Sequence, residues 1–189
     1  MPPSRFLGPT ALAVWFGVMT LFCAGLLARH LLAMPTPAPT ARLGEHLATL
    51  RPPGTTWLAV HVLSSDCRCS QRVVDHLLHS ERPAGWHEVV LWVGDLEPAP
   101  ELTRRFDVRR VTAAELAAYA IEAVPLLVAV TPANEVRYAG GYTDRKQGPV
   151  YHDVEILAAA RERDVTAIPL FGCATSERLR HALAALPVP

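Results

Sequence analysis

The sequence predicts an α/β domain held behind a single N-terminal transmembrane helix, with a helical extension at its C-terminal end. Three observations carry that expectation. The run Phe6 to Ala28 contains no charged residue. From about Ala41 onward, short β-rich apolar segments alternate with amphipathic helical stretches, the pattern of strands joined by helical crossovers. A last leucine-patterned helix then follows an apolar loop. A chain of 189 residues suits one core with an appendage. It has 18 basic and 18 acidic residues with no block of like charge, which argues against a nucleic-acid surface or a charged solvating tail.

As a helix, Phe6 to Ala28 would rise about 35 Å, enough to cross a hydrocarbon core of about 30 Å. Neither Leu26-Leu27-Ala28 nor Leu31-Leu32-Ala33 supplies the small residue that a leader cleavage site needs two positions before its alanine, so residues 1–34 read as an uncleaved signal anchor. Arg5 precedes the run and Arg29 follows it, leaving orientation weakly marked. A short leader before a large domain favours export of that domain. Cys23, inside the run, reads as a packing or lipid-facing thiol.

Residues 35–41 form a proline-spaced tract, expected to be an extended, semi-rigid spacer. The main domain is expected over residues 42–163. Leu43, Leu47 and Leu50 predict a short amphipathic helix ended by Pro52-Pro53-Gly54. Thr55 to Leu63 is rich in β-formers and largely apolar, as a central strand covered on both faces requires. Ser64, Ser65 and Asp66 are capping residues, and Val73, Val74, Leu77 and Leu78 follow at helical spacing. A second strand spans Glu88 to Val93, and helical patterning returns around Leu102 to Phe106 and Ala113 to Ile121. Leu126 to Val130 and Val136 to Ala139 form a hairpin through Thr131-Pro132-Ala133-Asn134-Glu135. A helix from about Val150 to Arg163 closes the unit. Residues 164–189 form the extension, in which Leu179, Leu183 and Leu186 lie on one face of a helix capped by Thr175 or Ser176.

The candidate chemistry lies at Cys67-Arg68-Cys69-Ser70, at the corner between the first strand and the helix after it. A thiol is a nucleophile or ligand only as thiolate, and a helix N-terminus with an adjacent Arg favours that form, whereas Asp66 opposes it. Cys173 lies beside the start of the last helix, and the apolar run before it brings this loop toward the same corner. Exported thiols near one another do not stay indifferent in an oxidising compartment.

The order β-α-β-α-β-β-α, with thiols at the first strand-helix corner and Val124-Pro125 opening the next-to-last strand, resembles the thioredoxin superfamily. The resemblance covers roughly Ala41 to Arg163 and rests on that corner together with Ala120 to Val130 and Glu135 to Gly141. It implies a thioredoxin-like three-layer fold, a cis bond before Pro125, and a reactive thiol facing that proline. An anchor, a spacer and this domain together resemble the exported proteins that service thiols in the bacterial periplasm, including those of cytochrome c maturation. That likeness implies a single-pass protein of the bacterial inner membrane with its globular part in the periplasm. It also implies a protein thiol substrate, a redox partner protein and no cofactor.

The motif departs from the family's Cys-x-x-Cys, with Ser70 at the fourth place and Cys69 unexpected at the third. Aligning Cys67 as the nucleophile puts Val73 and Leu77 at the inward helix positions. His61 then stands six residues before it, where the family commonly buries an acid that moves the resolving thiol's proton; a satisfied core histidine fits equally well. Several arrangements stay open. Cys67 and Cys69 form a strained short-loop disulfide, Cys173 resolves a mixed disulfide on either, or Cys173 makes a static bridge that pins the tail. The catalytic set is thus Cys67, Cys69, Cys173, His61 and Pro125. Two other function classes remain: a copper or zinc chaperone using Cys67, Cys69 and Cys173, and a non-catalytic tethered interaction domain. His76 and His79 read as solvated, and Gly140 to Pro149 as either a groove lining or a solvated connector.

Overall fold

In the computed structural model, which describes residues 7–53 and 57–185, an apolar helix precedes a five-stranded mixed sheet with helices on both faces. Helix α1 (Leu7–Leu31) contains the stretch Gly8–Leu27, of mean hydropathy 2.0, long and apolar enough to cross a membrane. Phe6, Gly54, Thr55, Thr56 and Leu186 lie outside the described residues.

Helix α2 (Ala41–Ala48) begins where Thr40 Oγ1 accepts a hydrogen bond from the Leu43 backbone N–H, and it buries Leu43 and Leu47. Strand β1 (Trp57–Ser64) is buried from Leu58 onward. It runs parallel to β2 (Trp86–Val93) and antiparallel to β5 (Leu126–Val130). The sheet continues from β5 into β6 (Val136–Gly140) and from β2 into β3 (Asp107–Arg110), giving the order β3-β2-β1-β5-β6. The hairpin turn is held by Thr131 Oγ1, which accepts from the N–H groups of Ala133 and Glu135, with Asn134 at positive φ.

Alternation along the strands splits the core into two layers. Leu58, Val60, Val62, Val89, Leu91 and Val128 face α2, α5 (Ala113–Ala117) and α7 (Glu177–Ala184). Ala59, Leu63, Val90, Leu127 and Ala129 face α3 (Arg68–His79), α4 (Pro100–Arg105) and α6 (Asp153–Ala160). The helix phase expected for α3 holds, with Ser70, Val73 and Leu77 all buried.

Three sequence expectations change. Strand β3 replaces a stretch left as connector: its pattern, Asp-Val-Arg-Arg, is that of a charged edge strand whose side chains stay partly exposed. Ser64, Ser65 and Asp66 do not cap α3, because Cys67 itself is the N-cap residue and the Ser65 hydroxyl donates instead to Asp66 Oδ1. Finally, the proline tract and the C-terminal extension are docked against the domain. The Met34 N–H donates to the Leu170 carbonyl at 2.7 Å, Pro37 is buried, and Leu170 is 0% exposed. Strands β4 (Ala123–Val124) and β7 (Cys173–Ala174) pair antiparallel and bring the extension to the end of the sheet.

Because the Leu170 side chain is fully buried, Leu170→Ala is expected to lower unfolding free energy by about 2–5 kcal/mol, measured by denaturant unfolding of the purified protein.

Candidate functional site

The end of β1 delivers Cys67 to the start of α3, where its backbone is extended (φ −106°, ψ 112°) and its side chain is 1% exposed. The peptide bond between Val124 and Pro125 is cis. Val124 pairs with Cys173 across the β4–β7 ladder, and its carbonyl oxygen lies 3.8 Å from Cys67 Sγ. Gly172 is required there, since a Cβ would fall 1.7 Å from the Val124 oxygen. The structure therefore gathers Cys67, Cys69, Cys173 and Pro125, and all three site thiols are free.

The thiols differ in charge. Cys67 is pulled far below the ordinary thiol range, first by the hydrogen bond from Cys173 and then by that from Cys69; burial opposes this, and Ser70 assists through its backbone N–H and hydroxyl. Cys67 is the N-cap residue, and no side-chain capping hydrogen bond forms at this helix start. Ser70 Oγ is buried with no other hydrogen-bond partner, leaving its hydroxyl free to turn toward the Cys67 sulfur. Cys69 and Cys173 are pushed up, chiefly by their hydrogen bonds to Cys67 and then by burial, although Lys146 works the other way. The cluster thus favours the thiolate form of Cys67 and the thiol form of Cys69 and Cys173. Arg68 and Asp66, the neighbours that sequence reasoning weighed, are secondary to the sulfurs.

Two openings reach the site. A cleft of about 860 Å³ at the carboxyl ends of β1, β2 and β3 is lined by Ser64, Cys67, Val93, Arg110, Val124 and Cys173, among others. On the other side, a small pocket of about 20 Å³ is bounded by Cys69, Arg72, Pro125, Tyr142, Tyr151 and Phe171. Tyr142, Thr143, Gln147 and Gly148 of the glycine-bearing loop belong to this wall, so that loop lines the site and is not a solvated connector.

His61 is placed elsewhere. It is 0% exposed on the α3/α6 face, with Nδ1 2.8 Å from the Tyr142 hydroxyl and Nε2 2.9 Å from Glu88 Oε2. A carboxylate only accepts, so Nε2 donates to Glu88, while Nδ1 is paired with the Tyr142 hydroxyl. Both nitrogens are engaged, and neither is left for a thiol proton. Glu88 also accepts from Arg82, whose NH1 donates to Asp153 Oδ2 at 2.6 Å, and His76 Nε2 donates to Asp153 Oδ1 at 2.8 Å. His76 is stacked on Tyr151 and half-buried, so it is not a freely solvated side chain, while His79 is exposed. Sequence reasoning missed this network, although a lone Glu88 within Trp86–Val93 was a visible sign that a buried partner must exist.

Among the described residues no group of three or more His, Cys, Asp or Glu side chains is arranged to hold a metal ion.

No protein-family model and no curated protein matches the chain. Among solved structures it is similar to an uncharacterized conserved protein from Geobacillus kaustophilus, at 15% identity and a TM-score of 0.43 over 77% of this chain and 90% of that one. It is also similar to a hypothetical protein from Sinorhizobium meliloti 1021, at 17% identity and a TM-score of 0.42 over 77% and 92%.

In the Glu88–Arg82–Asp153 network, burial raises both carboxyl pKa values, but the hydrogen bonds from His61 and His76 and the Arg82 charge outweigh it and leave both lowered. The folded state then binds fewer protons than the unfolded one near the unfolded carboxyl value of about 4. Stability should therefore be full above that value and fall as pH drops through it. Arg82→Met leaves two buried carboxylates with only His61 and His76 as partners and should cost about 3–5 kcal/mol at pH 7, with a weaker loss on acidification, both read from denaturant unfolding across pH 3 to 7.

Proposed function

We propose that this chain is a membrane-tethered thiol-disulfide oxidoreductase with a thioredoxin-like fold. It acts on protein thiols and disulfides on the exported side of a bacterial inner membrane, with its globular part in the periplasm. The observation that carries the reading is the Cys67 sulfur, buried at a helix start and gathered with the free thiols of Cys69 and Cys173 beside Pro125. The sheet order with a cis proline beside the thiols supports the fold reading, and the spanning length of α1 supports the tether.

In the proposed reaction the Cys67 thiolate attacks one sulfur of a substrate disulfide. A mixed disulfide forms, and the other substrate sulfur leaves as thiolate. Once Cys67 is in that bond its negative charge is gone, so the resolving thiol, Cys69 or Cys173, no longer has the neighbour that held its proton. It loses that proton, attacks the Cys67 sulfur and closes an intramolecular disulfide as the second substrate thiolate departs. The substrate gains two electrons and the protein loses two. A redox partner protein reduces the site again by the same exchange, or the sequence runs in reverse. No cofactor enters. Cys67 is the nucleophile, Pro125 shapes the wall beside Cys69, and His61 supports the core.

The test is trapping in cells. Full-length protein with Cys69→Ser and Cys173→Ser should accumulate mixed disulfides with exported proteins, seen as slow bands on non-reducing gels that vanish with reductant and with Cys67→Ser. Failure of this variant and of both single variants to trap any partner would overturn the reading.

A further inference from the structure

Cys67 has two thiols within hydrogen-bond reach, and they are presented to it very differently. Cys69 lies two positions along the same chain, in the first turn of α3. It borders the small pocket with Pro125 and Arg72. Cys173 comes from 106 residues farther along the chain and shares with Cys67 the wall of the large cleft. It is held in a two-residue ladder, too short to fix itself.

Glu122, the residue before β4, supplies what the ladder lacks. Its backbone carbonyl accepts the N–H groups of Thr175 at 2.8 Å and Ser176 at 3.4 Å. Its carboxylate, on a side chain that is largely buried, accepts the Ser176 hydroxyl at 2.9 Å and Arg178 Nε at 2.8 Å, with a second bond from Arg178 NH2. Ser176 in turn caps α7 by accepting from the Leu179 N–H at 3.1 Å. Every hydrogen bond described for this carboxylate thus comes from two residues, Ser176 and Arg178, just beyond the thiol-bearing strand. On the other side of Cys173, the Leu170 anchor and the Gly172 contact fix the approach.

We infer that Glu122 is a positioning residue that makes Cys173, and not Cys69, the thiol that resolves disulfides formed on Cys67. The inference rests on the exchange reading proposed above. Glu122 touches no sulfur; it acts by holding the Thr175–Arg178 segment so that Cys173 stays across from Val124 and next to Cys67. The bond that forms is Cys67–Cys173, the bond that breaks joins Cys67 to the substrate, and the proton lost by Cys173 goes with the departing substrate thiol. Restraining this one thiol in place replaces a search over a long chain with a step between neighbouring groups.

The experiment uses the full-length chain with Cys23→Ser, reduced and then exposed to less than one equivalent of a model peptide disulfide, and maps the intramolecular bridge by proteolysis and mass spectrometry. Wild-type sequence at the site should give Cys67–Cys173 in large excess over Cys67–Cys69. Glu122→Ala should lower that ratio by about tenfold, as expected for losing hydrogen bonds to a charged group, while Glu122→Gln keeps most of it. Arg178→Gln, a change at an exposed side chain, should shift the ratio the same way by less and guards against a folding failure in Glu122→Ala. Thermal stability measured alongside separates positioning from bracing, because bracing alone would lower stability and leave the ratio unmoved. A ratio unchanged by Glu122→Ala and Arg178→Gln, or Cys67–Cys69 dominant without them, overturns the inference. Absence of any bridge or mixed disulfide on Cys67 overturns the exchange reading itself.

Discussion

The stabilisation of a thiolate at Cys67 is the constraint on which the proposed chemistry depends. A thiolate buried at 1% exposure is unfavourable unless donors surround it. Here they come from three directions: the Ser70 N–H and hydroxyl from the first turn of α3, Cys69 from the same turn, and Cys173 from the far end of the chain. Each donor needs its own piece of architecture. The helix must start at Cys67 with no capping oxygen in the way, and the C-terminal segment must return to the sheet.

That return explains features which otherwise look unrelated. Gly172 gives the segment room against Val124, Leu170 sinks into the core, and the Glu122 carboxylate binds the start of α7. The same segment is bridged to Met34, three residues after the apolar helix ends. The chain leaving α1 and the segment carrying Cys173 are therefore in direct contact. The site opens to a large cleft on the Cys67/Cys173 side and to a small pocket on the Cys69/Pro125 side, so the three sulfurs are not equivalent in access any more than in charge.

The features legible in sequence were those carried by local patterns. The apolar run, the β1-to-α3 corner, the hairpin at Thr131 and the capping of α7 by Ser176 all follow from periodicity or from the chemistry of one or two residues. The approach of Cys173 to Cys67 was legible only as a tendency of an apolar loop to fold back. What stayed hidden depends on pairings across the sheet. Glu88, Arg82 and Asp153 are ordinary charges in the sequence and become a buried network only when β2 and α6 meet. His61 is paired in the core in the same way, since the partners of its two nitrogens lie 27 residues and 81 residues away. Strand β3 escaped because an edge strand needs little apolar pattern.

Titration of thiolate absorbance near 240 nm in the reduced full-length protein tests the central claim most directly. One thiolate, lost in Cys67→Ser, should already be present at neutral pH and persist well into acid, while the remaining site thiols stay protonated beyond the ordinary value of about 8.5. Three thiols titrating together near that ordinary value would contradict the account.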